Sequence, residues 1–255
     1  MIEESSQDAF YVMEALTDKG KKRSKNEDYF GIFQPESEEG LDTYGILAVV
    51  ADGMSGTFVG YKASRMAVET ISSVYFKSEE GGARERLREA FEAANERILN
   101  ELAGGRELTT GTTCTAAVFL GDRLYIGHAG DSRGYLIQEG RIEQLTRDHS
   151  EVWEAVQRGE MSMEEARRDP RRNVLTSSIG MTSEFFVDVT GPIEIVPSDR
   201  VLLCTDGLTN MLDDSEILKI AAGEEPKKAC ARLVKAANRA GGKDNITVII
   251  AERAK

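Results

Sequence analysis

Five aspartates stand at the ends of five apolar runs. Ile46-Leu47-Ala48-Val49-Val50-Ala51 stops at Asp52-Gly53, Val201-Leu202-Leu203-Cys204-Thr205 stops at Asp206-Gly207, and Leu124-Tyr125-Ile126-Gly127-His128-Ala129-Gly130 stops at Asp131. Asp28 directly precedes Tyr29-Phe30-Gly31-Ile32-Phe33, and Asp244-Asn245 precedes Ile246-Thr247-Val248-Ile249-Ile250. A carboxylate set against a buried strand is costly to desolvate unless something pairs with it, and a glycine beside it lets backbone come close. In an antiparallel sheet the exit of one strand and the entry of its neighbour share an edge, so these carboxylates can converge on one rim. Gathered there, they cannot all stay ionised unless metal ions hold them. Two divalent ions sharing a carboxylate can activate a water for in-line attack. Asp52, on the most apolar strand and next to the Gly53 carbonyl, is the candidate bridge, with Asp206 and Asp244 completing the shell. Arg23, five residues before Asp28, offers a planar fork suited to phosphate. Together these residues spell metal-assisted hydrolysis of a phosphoester.

The rest of the composition narrows the metal and the setting. The chain has 255 residues, a formal net charge of −12 and only two histidines, His128 and His149. Zinc needs His or Cys at close spacing, and hard oxygen donors favour Mg²⁺ or Mn²⁺. The acidic balance argues against non-specific binding to nucleic acid or to an anionic membrane. No apolar run of about 18 residues exists, so no membrane-spanning helix is expected. Met1-Ile2-Glu3-Glu4-Ser5-Ser6 lacks the character of a signal peptide, and Cys114, Cys204 and Cys230 are widely spaced within apolar patterns. A cytoplasmic protein with reduced, core-packed thiols is the expectation. Lys19, Lys21, Lys22 and Lys25 read as a solvated loop.

The elements that must carry these residues follow from periodicity. Strands are expected over 8–16, 29–34, 112–120, 123–128, 133–138, 141–144, 185–189 and 200–205, with an acidic turn over 35–42. Helices are expected over 57–77 and 83–103, the latter with Leu87, Phe91, Ala94, Ile98 and Leu102 on one face and Gly104-Gly105 at its end, and over 214–222 and 227–239. Residues 146–173 are highly charged, hold two short helical segments and offer few core positions, which suggests a mobile excursion from the main body. Consecutive helices, a strand meander and helices again indicate an α+β fold, an antiparallel sheet system covered by helices on both sides.

The motifs Arg23-Ser24-Lys25-Asn26-Glu27-Asp28, Asp52-Gly53-Met54-Ser55-Gly56, Gly111-Thr112-Thr113, Gly130-Asp131-Ser132-Arg133-Gly134-Tyr135, Thr205-Asp206-Gly207-Leu208 and Asp244-Asn245-Ile246-Thr247, taken in order, resemble those of the metal-dependent, type 2C protein serine/threonine phosphatases in their bacterial single-domain form. The resemblance runs over roughly residues 10–252. It implies a four-layer α-β-β-α sandwich, one catalytic domain over 1–255, and a flap around 146–175. It implies two Mn²⁺ or Mg²⁺ ions bridged by Asp52, with the Gly53 carbonyl, Asp206 and Asp244 as further ligands and Glu27 and Asp28 binding through water. Asp131 with Asp206 matches a third metal site, and Arg23 would hold the substrate phosphate. The implied reaction is direct attack of a metal-bridging hydroxide on phosphoserine or phosphothreonine, without a phosphoenzyme. Implied partners are phosphorylated proteins and a cognate Ser/Thr kinase, for a monomeric enzyme. This chain departs from the usual pattern at Ser55, Thr57 and Tyr61, and Met54 cannot act as a general acid. His149 and His128 are read as structural. The competing readings are a catalytically silent phosphoprotein-binding regulator and a small-molecule metallophosphoesterase; the presence of every metal-site aspartate and of Arg23 weighs against the first.

Overall fold

The computed structural model describes residues 2–7, 10–54, 58–78, 80–102, 111–181 and 185–254. The chain runs β1 (Ile2–Gln7), β2 (Tyr11–Asp18), β3 (Asp28–Phe33), α1 (Glu38–Tyr44), β4 (Ile46–Met54), α2 (Phe58–Lys77), α3 (Ala83–Leu102), β5 (Gly111–Thr112), β6 (Cys114–Leu120), β7 (Arg123–Ala129), β8 (Arg133–Gln138) and β9 (Arg141–Gln144). It continues through α4 (Glu151–Gln157), α5 (Met163–Arg168), β10 (Asp188–Glu194), β11 (Arg200–Cys204), α6 (Asp206–Thr209), α7 (Asp214–Ala221), α8 (Pro226–Ala240) and β12 (Ile246–Arg253). Two antiparallel sheets result. One has the order β1-β2-β12-β11-β8-β9, the other β10-β7-β6-β4-β3, with β5 paired to the end of β4.

β4 shows why the sheets stack. Its apolar run is buried on both faces. Leu47, Val49 and Ala51 pack with Ala67, Ile71, Leu87 and Phe91 of α2 and α3. Ile46, Ala48 and Val50 face the other way, into a core shared with Met13, Leu203 and Ile249 of the opposite sheet. Side chains alternate along a strand, so an unbroken apolar run is what a strand between two packed layers requires. Each fully buried Val, Leu or Ile contributes about 1.5–3 kcal/mol. On the far side, α8 lays Cys230, Leu233, Val234 and Ala237 over Leu202, Val248 and Ile250, with Ile217 of α7 beside them. The order of layers is therefore helices, sheet, sheet, helices, the expected α-β-β-α sandwich. Cys114, Cys204 and Cys230 are free and buried.

Several boundaries differ from the sequence expectation. The acidic turn over 35–42 is instead the start of α1, whose N-cap Ser37 accepts a hydrogen bond from the Gly40 amide; acids in a first turn favour the helix dipole. The strand expected over 8–16 starts at Tyr11, and a further strand, β1, pairs with it; Asp8 lies outside the described residues. The strand expected over 185–189 begins at Asp188 and continues through the cis Gly191–Pro192 bond, with a register shift against β7. A break at Thr113 splits the strand expected over 112–120 into β5 and β6. The excursion after His149 has a small core of its own, with Val152, Ala155 and Ala166 buried. Gly104, Gly105, Ser55 and Thr57 lie outside the described residues.

Candidate active site

The aspartates gather where the two sheets meet. Asp28 and Asp52 are directly opposed across the β3–β4 pair. Asp206 is the first residue of α6, immediately after β11 and Thr205, and Asp244 lies two residues before β12, so both come from the other sheet. Asp131 sits in the crossing from β7 of one sheet to β8 of the other. Arg23, Glu27, Asp52, Gly53, Asp131, Asp206 and Asp244 all line one cavity of about 410 Å³. Asp28, 3% exposed, is paired with Asp52 but is not among the residues lining the cavity.

Two Asp-Gly pairs make this convergence possible. A Cβ on Gly53 would sit 2.2 Å from the Gly60 carbonyl oxygen and 2.7 Å from that of Glu27. A Cβ on Gly207 would sit 1.8 Å from the Asn245 carbonyl oxygen. The missing side chains let α6 lie against the entry of β12, which places Asp206 beside Asp244. The Asp52 backbone is fixed by Thr112 and Thr113: its amide donates to Thr113 Oγ1 (3.1 Å), and its carbonyl accepts from Thr112 Oγ1 (2.9 Å) and the Thr113 amide (3.0 Å). The Gly53 amide donates to the Glu27 carbonyl (3.2 Å).

Asp28 is held by hydroxyls. Thr205 and Thr247 both donate to its Oδ2, at 2.9 and 2.6 Å. The Thr247 proton is thereby committed, so Thr17 donates to Thr247 (2.7 Å), and Thr17 accepts from Asn26 Nδ2 (2.9 Å). Asn245 completes the frame. Its side-chain carbonyl accepts from the Glu27 amide (2.8 Å), and its Nδ2 donates to the carbonyls of Lys19 and Lys25, both at 2.9 Å. Asn210 Nδ2 donates to Asp206 Oδ2 (2.8 Å).

The electrostatics are those of crowded carboxylates. Burial lifts Asp28 to about 7 despite the Thr247 and Thr205 hydroxyls, with Asp206 and Asp244 pushing the same way. Burial and the neighbouring Asp244 charge lift Asp206 to about 6. Asp52 is driven well above the ordinary carboxylate range by burial and then by Asp28, Asp206, Asp131 and Asp244. Asp131 rises for the same reason, burial first and then Asp206 and Asp148. Asp28 Oδ1 and Asp206 Oδ1 are buried with no hydrogen-bond partner among the described residues. Orphaned buried oxygens cost free energy, and a hard divalent cation satisfies such oxygens and neutralises such a cluster. In donor chemistry and charge, then, the residues fit a metal of that kind. Among the described residues, no three His, Cys, Asp or Glu side chains close around a single ion position; Asp244 Oδ2 instead accepts from Arg23 Nη2 at 2.6 Å.

The sequence points to the cavity-lining carboxylates and Arg23 but assigns no role to the groups that orient them: Thr113, Thr205, Asn245 and Thr247, which stand in the quoted motifs, and Thr17 and Asn210, which do not. Nor does it show the link from Arg133 to Asp148, whose Nε–Oδ1 and Nη2–Oδ2 distances are 2.9 and 2.7 Å. That pair ties the start of β8, two residues past Asp131, to the root of the flap. A second cavity of about 360 Å³ lies between the flap and α6, lined by Trp153, Met163, Arg172, Met211 and Lys243 and reaching Asp131, Asp206 and Asp244. His128 is enclosed, with Nε2 donating to the Arg147 carbonyl (3.0 Å) and Nδ1 accepting from Thr115 (2.9 Å). His149 is packed between His128 and Phe186, with Nδ1 accepting from the Gly130 amide (3.3 Å) and Nε2 facing Asp188 (3.2 Å).

Two antiparallel sheets under helical layers, with carboxylates from both sheets gathered at one rim beside an arginine, define a metal-dependent phosphatase architecture. The sequence profile described as Protein phosphatase 2C matches residues 19–245, and the chain belongs to that family. It is 37% identical to the serine/threonine phosphatase stp of Listeria monocytogenes over 247 residues, covering 94% of this chain and 95% of that one. Among solved structures, the serine/threonine phosphatase of S. agalactiae superposes with a TM-score of 0.86 at 31% identity, covering 96% of this chain and all of that one. The catalytic domain of the phosphatase PstP, solved with two manganese ions, superposes with a TM-score of 0.79 at 31% identity over 96% of this chain and 99% of its own.

Proposed function

We propose that the chain is a metal-dependent protein phosphatase hydrolysing phosphoserine and phosphothreonine, and that the cavity at the meeting of the sheets is its active site. The observation that carries this is the convergence of aspartates from both sheets around one cavity, with a guanidinium at its edge. Asp52, the Gly53 carbonyl, Asp206 and Asp244 would hold two divalent cations, Mn²⁺ or Mg²⁺, with Asp52 shared. Asp131 with Asp206 would hold a third, and Glu27 and Asp28 would act through water. Such cations supply positive charge to the phosphoryl oxygens and lower the pKa of a bound water.

The protein's own groups do the rest. Arg23, half exposed and engaged with Asp244 through one nitrogen, keeps further N–H donors for a phosphate. Thr205 and Thr247 both donate to Oδ2 of Asp28, which leaves its buried Oδ1 as the oxygen without a hydrogen-bond partner among the described residues. Thr112 and Thr113 fix the Asp52 backbone. Met54 carries no proton to transfer, so the leaving alkoxide takes its proton from water or another group. Residues 1–255 form one catalytic domain with a flap around 146–175, acting as a cytoplasmic monomer on phosphoproteins made by a partner Ser/Thr kinase.

The test is hydrolysis of p-nitrophenyl phosphate and of a phosphothreonine peptide with and without Mn²⁺. Turnover of both that requires the metal is expected, and Asp52→Asn should lower kcat by at least about a hundredfold, the scale of losing an electrostatic catalytic group. Absence of metal-dependent turnover refutes the hydrolase reading, and a fully active Asp52→Asn refutes the site.

A further inference from the structure

Lys19, Lys21, Lys22, Arg23 and Lys25 fall within seven residues that contain no acid, in a chain whose formal net charge is −12. Sequence alone suggests a solvated loop, but this one is clamped to the candidate active site. Asn245 Nδ2 grips it at both ends through the carbonyls of Lys19 and Lys25. The Lys21 and Lys22 amides both donate to the Gly242 carbonyl, at 2.8 and 3.2 Å. Gly20, at φ +76°, lies so close to the Asp244 carbonyl that a Cβ would sit 2.1 Å from its oxygen, and the Gly20 amide donates to Asp18 Oδ1 (2.9 Å). The loop is thus tied on both sides of Asp244. Lys19, Lys21 and Lys22 are exposed, and none is in an ion pair among the described residues. Lys243, next to Asp244, is exposed as well and lines the flap-side cavity.

An ordered cationic collar therefore stands beside the cavity of a protein whose net charge is acidic. The chain's formal net charge of −12 opposes the approach of an acidic peptide, and the collar offsets that repulsion at this edge. We propose that the collar formed by Lys19, Lys21 and Lys22 selects phosphoprotein segments in which the scissile phosphoresidue is flanked by further anionic groups, either carboxylates or a second phosphate. This rests on the phosphatase reading above and names the substrate class for that site. Because the contacts are exposed, they act largely through capture of the substrate and weaken as salt screens them.

The experiment compares kcat/KM for phosphothreonine peptides of matched length whose flanking positions carry Glu, Gln, Lys or a second phosphothreonine, with p-nitrophenyl phosphate in parallel. At low ionic strength the Glu or doubly phosphorylated peptide is expected to exceed the Lys peptide by about tenfold, the sum of a few exposed pairs. The ratio should shrink toward one at 0.5 M salt and in Lys21→Gln/Lys22→Gln. A gain from Glu and phosphate alike supports selection by charge, and a gain from the second phosphate alone supports a collar that reads phosphate. Equal rates for all four peptides at low salt, with p-nitrophenyl phosphate still turned over, overturn the inference. The salt series keeps the test decisive should the double variant fold poorly. Loss of p-nitrophenyl phosphate turnover in the unaltered enzyme would instead refute the phosphatase reading.

Discussion

The Arg133–Asp148 pair gives the sharpest stability prediction. Both side chains are largely buried, at 16% and 13% exposure, and they meet in two-point geometry at 2.9 and 2.7 Å. Arg133 Nη1 also donates to the Tyr135 hydroxyl (3.1 Å), and Gln144 Nε2 donates to Asp148 Oδ1 (3.1 Å). Arg133→Met keeps the length of the side chain but leaves Asp148 buried near Asp131, whose proton affinity its charge already raises. Removing one partner of a buried pair costs about 3–5 kcal/mol. For a chain of this size that corresponds to a Tm lower by roughly 10 °C. Arg133→Met/Asp148→Leu removes the stranded charge as well, and apolar replacement of a whole buried pair is often near neutral, so the double variant should recover most of the loss. The assay is urea unfolding of the wild type, both single variants and the double variant, read as a double-mutant cycle. A cost below about 1 kcal/mol for Arg133→Met, or a double variant no more stable than that single variant, would refute the reasoning.

Two further outcomes follow from the packing and the titrations. Gly207→Ala should lower activity together with stability, the latter by about 1–3 kcal/mol, because its Cβ meets backbone at 1.8 Å, whereas Gly134→Ala, where the nearest atoms lie at 3.4 Å, should cost far less; equal behaviour in unfolding and turnover assays would count against the close-approach argument. His128 is pushed down to about 3, by burial first and then by His149. Its native form therefore binds fewer protons than the unfolded chain between about 3 and 6.5, so stability from this residue is full above 6.5 and falls by about 1.4 kcal/mol per pH unit below it. Chemical-shift titration of its imidazole should show no midpoint between pH 5 and 8, and a midpoint near 6.5 would contradict the enclosure.

What could be read from the sequence was set by how strongly each signal is written in residue types. The β4 run is apolar at every position, so both its burial and the exceptional placement of Asp52 were visible. α1 reads as a turn in the sequence because Pro35 and Gly40 punctuate it and because none of its residues is buried, which removes the periodic stripe that marks a helix. The sequence places β10 too early because Pro192 argues against a strand interior, and here a cis bond and a register shift accommodate it. Thr205 and Thr247 stand in the quoted motifs, but the sequence assigns them no role, because a threonine in a strand looks like any β-branched filler. Their role exists only through the pairing of β11 with β12 beside Asp28, 177 and 219 residues away in sequence. The same distance hid the clamp of Asn245 on the 19–25 loop, which converts a run of lysines that looks solvated into a fixed part of the rim.

The origin of the carboxylates in both sheets has a mechanical consequence. Asp28 and Asp52 belong to one slab of the stack, Asp206 and Asp244 to the other, and at that end the slabs are joined by the apolar interior between Val50, Leu203 and Ile249 and by the hydrogen bonds of Thr205 and Thr247 to Asp28 and of the Glu27 amide to Asn245. Mutual repulsion there acts as a wedge prising the stack apart, and neutralising counter-charge acts as a clasp. Cations bound across both slabs would raise the stability of the whole fold by mass action, so resistance to unfolding and readiness for catalysis should rise along the same binding curve.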